Sequence, residues 1–155
     1  MTDVWFYHLQ RRPLESALPK LLELSLARGW RVVVQATSER RLEALDDLLW
    51  SYSPESFLPH GAQKDGDPES QPIFLTIGPD NPNRAHVRFF VENAELSPVL
   101  ADARSAPEER AILMFDGNDE AAAPAAREQW RRLKTEGHTL SYWRQSEEGK
   151  WEKQA

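Results

Sequence analysis

Cysteine is absent from this chain, which excludes disulfides, thiolate metal sites and a cysteine nucleophile. A reducing cytoplasm is the expected setting. No apolar run approaches the ~20 residues of a membrane span, so no membrane association is expected. The opening Met1-Thr2-Asp3-Val4-Trp5-Phe6 carries an acid where an export signal carries basic residues. Glycine is sparse, seven in all, and none falls in His8-Leu9-Gln10-Arg11-Arg12-Pro13, directly after the first candidate strand. Phosphate-binding turns need glycine there so that backbone can approach the ligand; the dinucleotide fingerprint, the P-loop and the nucleophile elbow are all missing. Positive charge is scarce too. Nineteen Lys and Arg stand against 25 Asp and Glu, for a net −6 and a pI near 5.3. That balance argues against a broad nucleic-acid-binding face and leaves room only for a local, salt-sensitive contact.

What is present fits one α/β domain. At 155 residues the chain is long enough to bury about two-thirds of its unfolded surface. Val4–Tyr7 is β-branched and aromatic and predicts a first strand. Leucines from Leu14 onward predict a helix to Arg28, with Pro19 acceptable only in its first turn and Gly29 closing it. Arg31–Gln35 predicts a second strand, and Ser38 a cap for a helix running through Leu49. Further strands are predicted at Ile73–Ile77, Val87–Val91, Ala111–Phe115 and Thr139–Trp143. Between the last two, a helix is expected to begin at Asn118 or Asp119 and to stop at Gly137. Ser51–Pro72 shows no clear element, and its polar second half, Gly61–Pro72, predicts a mobile surface loop. Short apolar strands alternating with helices indicate a single three-layer α/β/α domain, Rossmann-like, with a mostly parallel central sheet. The expected domain is 1–146, followed by a polar tail, 147–155.

The histidines His8, His60, His86 and His138 are scattered without metal-ligand spacing. The acid pairs Asp46-Asp47 and Glu108-Glu109 read as solvated faces. No catalytic residue, metal or cofactor is therefore expected. An α/β enzyme acting on a nucleotide or phosphoester is the competing class, with its chemistry near Asp116-Gly117 and the Ala36-Thr37-Ser38 turn.

The positive charge that exists is concentrated in residues 127–134. Four cations against Glu128 leave that octet at +3, so the remainder of the chain carries −9. On a helical wheel Arg127, Arg131 and Lys134 fall within about 60° of one another. Ala126, Leu133 and Gly137 mark the core side, Trp130 lies on the border, and Ala123 falls on the basic side. Such a face suits a short acidic peptide with an apolar end: arginines take carboxylates bidentately, and the indole supplies an apolar wall. Two other readings stay open. The cations could simply complement the helix dipole with Trp130 in the core, or the stripe could hold single-stranded DNA directly. A second constellation, Leu49-Trp50-Ser51-Tyr52-Ser53-Pro54-Glu55-Ser56-Phe57-Leu58-Pro59-His60, places aromatics in a proline-bracketed segment, as interface anchors or as a plug over the core.

These stretches together resemble the chi subunit of bacterial DNA polymerase III holoenzyme. The resemblance also takes in Trp5-Phe6-Tyr7, Gly29-Trp30-Arg31-Val32 and the Arg127-Glu128-Gln129-Trp130 helix with its Gly137 stop. It implies a non-catalytic replication adaptor of the clamp-loader complex with a three-layer fold. One surface would bind the psi subunit or a helicase-like partner; another would hold the acidic Pro-Phe C-terminal tail of single-stranded-DNA-binding protein, making contact with single-stranded DNA indirect. Carried onto this sequence, the tail site comprises Arg127, Trp130, Arg131 and Lys134, and the partner patch Trp50, Phe57, Leu58 and Pro59. Trp130 stands where a tyrosine is familiar, so stacking is kept and a hydroxyl lost. Ala123 replaces an expected lysine, which removes one cation.

Overall fold

A computed structural model describes residues 2–9, 13–51, 58–145 and 150–155. In chain order it contains β1 (Asp3–Leu9), α1 (Leu14–Ala27), β2 (Val32–Gln35), α2 (Glu39–Ser51), β3 (His60–Ala62), β4 (Ile73–Thr76), β5 (Val87–Phe90), α3 (Ser97–Leu100), β6 (Arg110–Asp116), α4 (Ala122–Thr135), β7 (Thr139–Gln145) and β8 (Trp151–Lys153). All strands join one sheet in the order β3-β4-β2-β5-β6-β1-β7-β8. Every pairing is parallel except β7 with β8. β1 lies between β6 and β7, so both of its edges are paired. Alternation along β1 then divides the core: Tyr7 and Leu9 join Leu18, Leu22, Leu42 and Leu45 under α1 and α2. Val4 and Phe6 join Leu113, Phe115, Ala126 and Leu133 under α3 and α4. Leu18 and Leu22 are fully buried, each such side chain contributing about 2 kcal/mol. The three-layer α/β/α reading therefore holds.

Helices α1 and α4 end the same way. Gly29 (φ +79°) and Gly137 (φ +89°) take up the left-handed conformation past the helix end. In each case the next residue's N–H reaches back, Trp30 to the Ser25 carbonyl and His138 to the Leu133 carbonyl, both at 3.1 Å. This double closure satisfies carbonyls that a helix end otherwise leaves open. Ser38 caps α2 as expected, accepting from the Arg41 N–H at 3.2 Å.

Five local expectations need correction. Pro19 is not in the first turn of α1 but is its sixth residue and buried; the helix forgoes the bond a Pro19 N–H would have made, and its apolar face keeps it packed. Helix α4 begins at Ala122 rather than at Asn118 or Asp119. The Asp116 and Asp119 carboxylates accept from the Asn118 and Ala121 amides, each at 2.9 Å, and these local turns compete with helix. Pro124 then sits in the first turn, where no N–H is needed. The final expected strand extends beyond Trp143 to Gln145. The segment set aside as a polar tail supplies β8, with Trp151 stacked on Tyr7 at 4.4 Å. The expected loop 61–72 contains most of β3 and two 3-10 turns, Gln63–Asp65 and Pro68–Ser70. A Cβ at Gly61 would come within 2.7 Å of the end of the Gln71 side chain, which is long enough to swing aside. No helix among the described residues is long and apolar enough to cross a membrane.

Candidate binding cavity under the C-terminal helix

Helix α4 packs Ala126 and Leu133 into the core and leaves its N-terminal half standing over the carboxyl ends of β1, β6 and β7. Between them lies a cavity of about 430 Å³, lined by Phe6, His8, Phe115, Ala123, Ala126, Arg127, Trp130, Tyr142, Arg144 and Ala155. Strand alternation builds it: Phe6 and His8 on β1 and Tyr142 and Arg144 on β7 sit two apart and share one face. Trp130 meets Phe6 edge-on with centroids 5.2 Å apart, and Tyr142 at 6.0 Å. The indole is half-buried, forming a wall rather than a core plug.

One polar pair lies in this aromatic setting. His8 Nδ1 and the Tyr142 hydroxyl are hydrogen-bonded. Burial and the nearby Arg144 charge hold His8 below its ordinary value of 6.5, partly opposed by Asp116. Burial pushes the Tyr142 hydroxyl up, while Arg144 and then Arg127 act in the opposite direction. The cavity is thus apolar in its lining and positive in its field. Gly117 abuts the His8 imidazole so closely that a Cβ there would collide with the ring.

Of the residues expected to bind a tail, Arg127 and Trp130 line the cavity with Ala123 beside them. Arg131 and Lys134 are exposed on the same helix but outside the lining. Arg131 pairs with Glu128 at 2.9 Å, both side chains largely exposed. Sequence reasoning missed Arg144, Tyr142 and His8 as a group. They come from strands far apart in sequence, and the only available signal was their shared parity on neighbouring strands. Arg144 supplies a cation in the cavity whose Ala123 position lacks one.

The second constellation is only partly described, and Phe57 lies outside the described residues. Trp50, at the end of α2, is 58% exposed and lies 4.8 Å from the His60 ring. Leu58 is buried at 2% and belongs to the α1–α2 core; Pro59 is half-buried. His60 is held from both sides: its Nδ1 bonds the Leu58 carbonyl at 2.6 Å and its Nε2 meets Asp46 Oδ1 at 2.9 Å.

The positions named for an enzyme are occupied by structural contacts. Ser38 caps α2, Thr37 donates to the Glu92 carbonyl at 3.2 Å, and Asp116 accepts from the Asn118 amide. Among the described residues no three His, Asp or Glu converge as metal ligands.

Residues 1–141 match the family model described as DNA polymerase III chi subunit, HolC. A relative from Rickettsia prowazekii (strain Madrid E), named "Probable DNA polymerase III subunit chi", is 31% identical over 100 residues, covering 64% of this chain and 61% of the relative. The chain thus spans about three-fifths of that relative's length. With nine-tenths of its residues inside the family model, the chain belongs to the DNA polymerase III chi subunit family.

Proposed function

We propose that this protein is a non-catalytic adaptor of the DNA polymerase III holoenzyme, working in the cytoplasm. Its α4 cavity receives the acidic Pro-Phe C-terminal tail of single-stranded-DNA-binding protein, and the surface at Trp50 faces psi or a helicase-like partner on the clamp-loader side. The observation that carries this reading is the convergence of Arg127, Arg144, Trp130 and Tyr142 on one cavity. At about 430 Å³ it lies within the ~300–1,000 Å³ usual for small-ligand pockets. The terminal aromatic would enter between Trp130 and Tyr142, and carboxylates would pair with the two guanidiniums. Arg131 and Lys134 would add only long-range attraction, because exposed charges are well screened.

Calorimetry with a synthetic acidic peptide ending in Pro-Phe tests it. The Arg127→Ala protein should bind at least about tenfold more weakly, as a charge-assisted hydrogen bond is worth ~1.5–3 kcal/mol. Added salt should weaken the wild-type complex. Unchanged affinity in the variant would overturn the site assignment.

A further inference from the structure

A second concave surface lies at the other end of the sheet and on its other face. Helix α2 and the carboxyl ends of β3 and β4 enclose a groove of about 420 Å³. Its base is aliphatic: Leu42, Ala62 and Leu75 are buried, and Ile77 is 40% exposed. Glu39, Glu43, Asp46 and Asp80 surround it against a single cation, Lys64, leaving a net −3. Asp46 is engaged by His60 at 2.9 Å and Asp80 by the Thr76 hydroxyl at 3.0 Å. Glu39 and Glu43 are exposed and make no ion pair among the described residues.

Two features make this more than a solvated acidic face. First, the turn carrying Ile77 and Asp80 is fixed from below. Arg88 is fully buried, and its guanidinium donates to the Gly78 and Asp80 carbonyls, each at 2.7 Å, and to Gln35 Oε1 at 2.6 and 3.1 Å. Burial brings Arg88 down to about 10, against the pull of Asp80. A buried cation with this many partners is a costly way to hold a loop, and it presents Ile77 and Asp80 in one place. Second, Glu39 and Glu43 stand at i, i+4 on α2, a like-charge arrangement that is unfavourable on a helix surface.

We propose that this groove docks a basic amphipathic segment of a protein partner, with an apolar side chain on Leu42 and Ile77 and Lys or Arg side chains toward Glu39 and Glu43. Charge complementarity selects the occupant: an acidic segment meets a net −3, and an uncharged one leaves the carboxylates unanswered. The argument stands apart from the α4 cavity, which lies on the opposite face, and the assay keeps the two separate.

The probe is a short fluorescent Lys/Leu peptide with amphipathic order, set beside a scrambled peptide of equal composition, and read by anisotropy with the full-length protein. The ordered peptide should bind more tightly than the scrambled one, and salt should weaken it. Amide shifts in NMR should cluster at residues 39–46, 62–64 and 75–80. The E39K/E43K protein should lose about tenfold or more, since reversal creates like-charge contacts. Ile77→Ser, outside the helix, should lose about fivefold through the apolar contact. Both variants should keep wild-type affinity for the acidic Pro-Phe peptide, which also reports that they are folded. Equal binding of ordered and scrambled peptides, or indifference to both variants, would overturn the proposal. So would displacement of the peptide by magnesium alone, which would make this a cation site, or self-association abolished by the same variants, which would make it an interface between copies.

Discussion

The cavity under α4 and the groove beside α2 occupy corresponding places in the fold and differ in almost every other respect. Both sit where parallel strands end, one on each helical layer. The first is lined by aromatics and two arginines. The second is aliphatic and ringed by carboxylates. A parallel sheet supplies such sites on both faces, because its strand carboxyl ends all point the same way; which side chains reach them is a separate choice on each layer. Here that choice runs in opposite directions. A protein with net −6 holds its local excess of positive charge on one side of one helix, and the two proposed partners, of unlike charge, would require this separation.

The strongest way to break the comparison is to damage one site through its backbone. Gly117→Ala places a methyl group against His8, so the imidazole must leave its bond to Tyr142 and swing into the cavity it lines, or the backbone must shift. Overpacking of this kind costs about 1–3 kcal/mol, readable as a lower urea midpoint with an unchanged slope. The displaced imidazole also enters the cavity, so binding of the acidic peptide should fall with it. The Lys/Leu peptide should bind the surviving folded protein normally. Parallel loss at both sites would mean that they are not independent.

A smaller effect separates the cations of the basic side. Arg144→Ala should weaken the acidic peptide about tenfold, in line with Arg127→Ala, because both side chains line the cavity. Lys134→Ala and Arg131→Ala should cost less than about fivefold, as exposed pairs contribute ~0–1 kcal/mol. Four equal losses would restore the stripe of three helical cations as the true receptor and remove Arg144 from it.

That ranking shows where the sequence was legible. Helical periodicity identified α4, its buried Ala126 and Leu133, and Trp130 at the boundary, because each depends only on residues three or four apart. The same wheel grouped Arg127 with Arg131 and Lys134, although only Arg127 reaches the cavity. What decides membership is the neighbouring β7, and no local pattern says that Tyr142 and Arg144 face α4 rather than α1. The resemblance to chi carried the fold and family without supplying Arg144. The missed elements have a similar origin. β3 and β8 are three residues each; β3 reads His-Gly-Ala, which has little intrinsic strand preference. Such edge strands exist because a longer neighbour pairs with them, and pairing is a tertiary fact.

The finest test concerns pH, and it also divides the two sites. His8 is held below 6.5 in the folded protein by burial and by Arg144. Below pH 6.5 the unfolded chain therefore takes up this proton more readily than the folded one. His8 contributes stability above that pH and loses it as pH falls through the folded value. The melting temperature of the wild type should decline over that interval, and His8→Asn should remove part of the decline. An anionic peptide in the cavity places negative charge near the imidazole and favours its protonated form. Binding should then take up a proton, so affinity for the acidic peptide should rise as pH falls below 7, less so in His8→Asn. The Lys/Leu peptide has no His8 beneath it, and its affinity should not depend on that substitution. Identical pH profiles for wild type and His8→Asn would show that the imidazole does not sense the cavity.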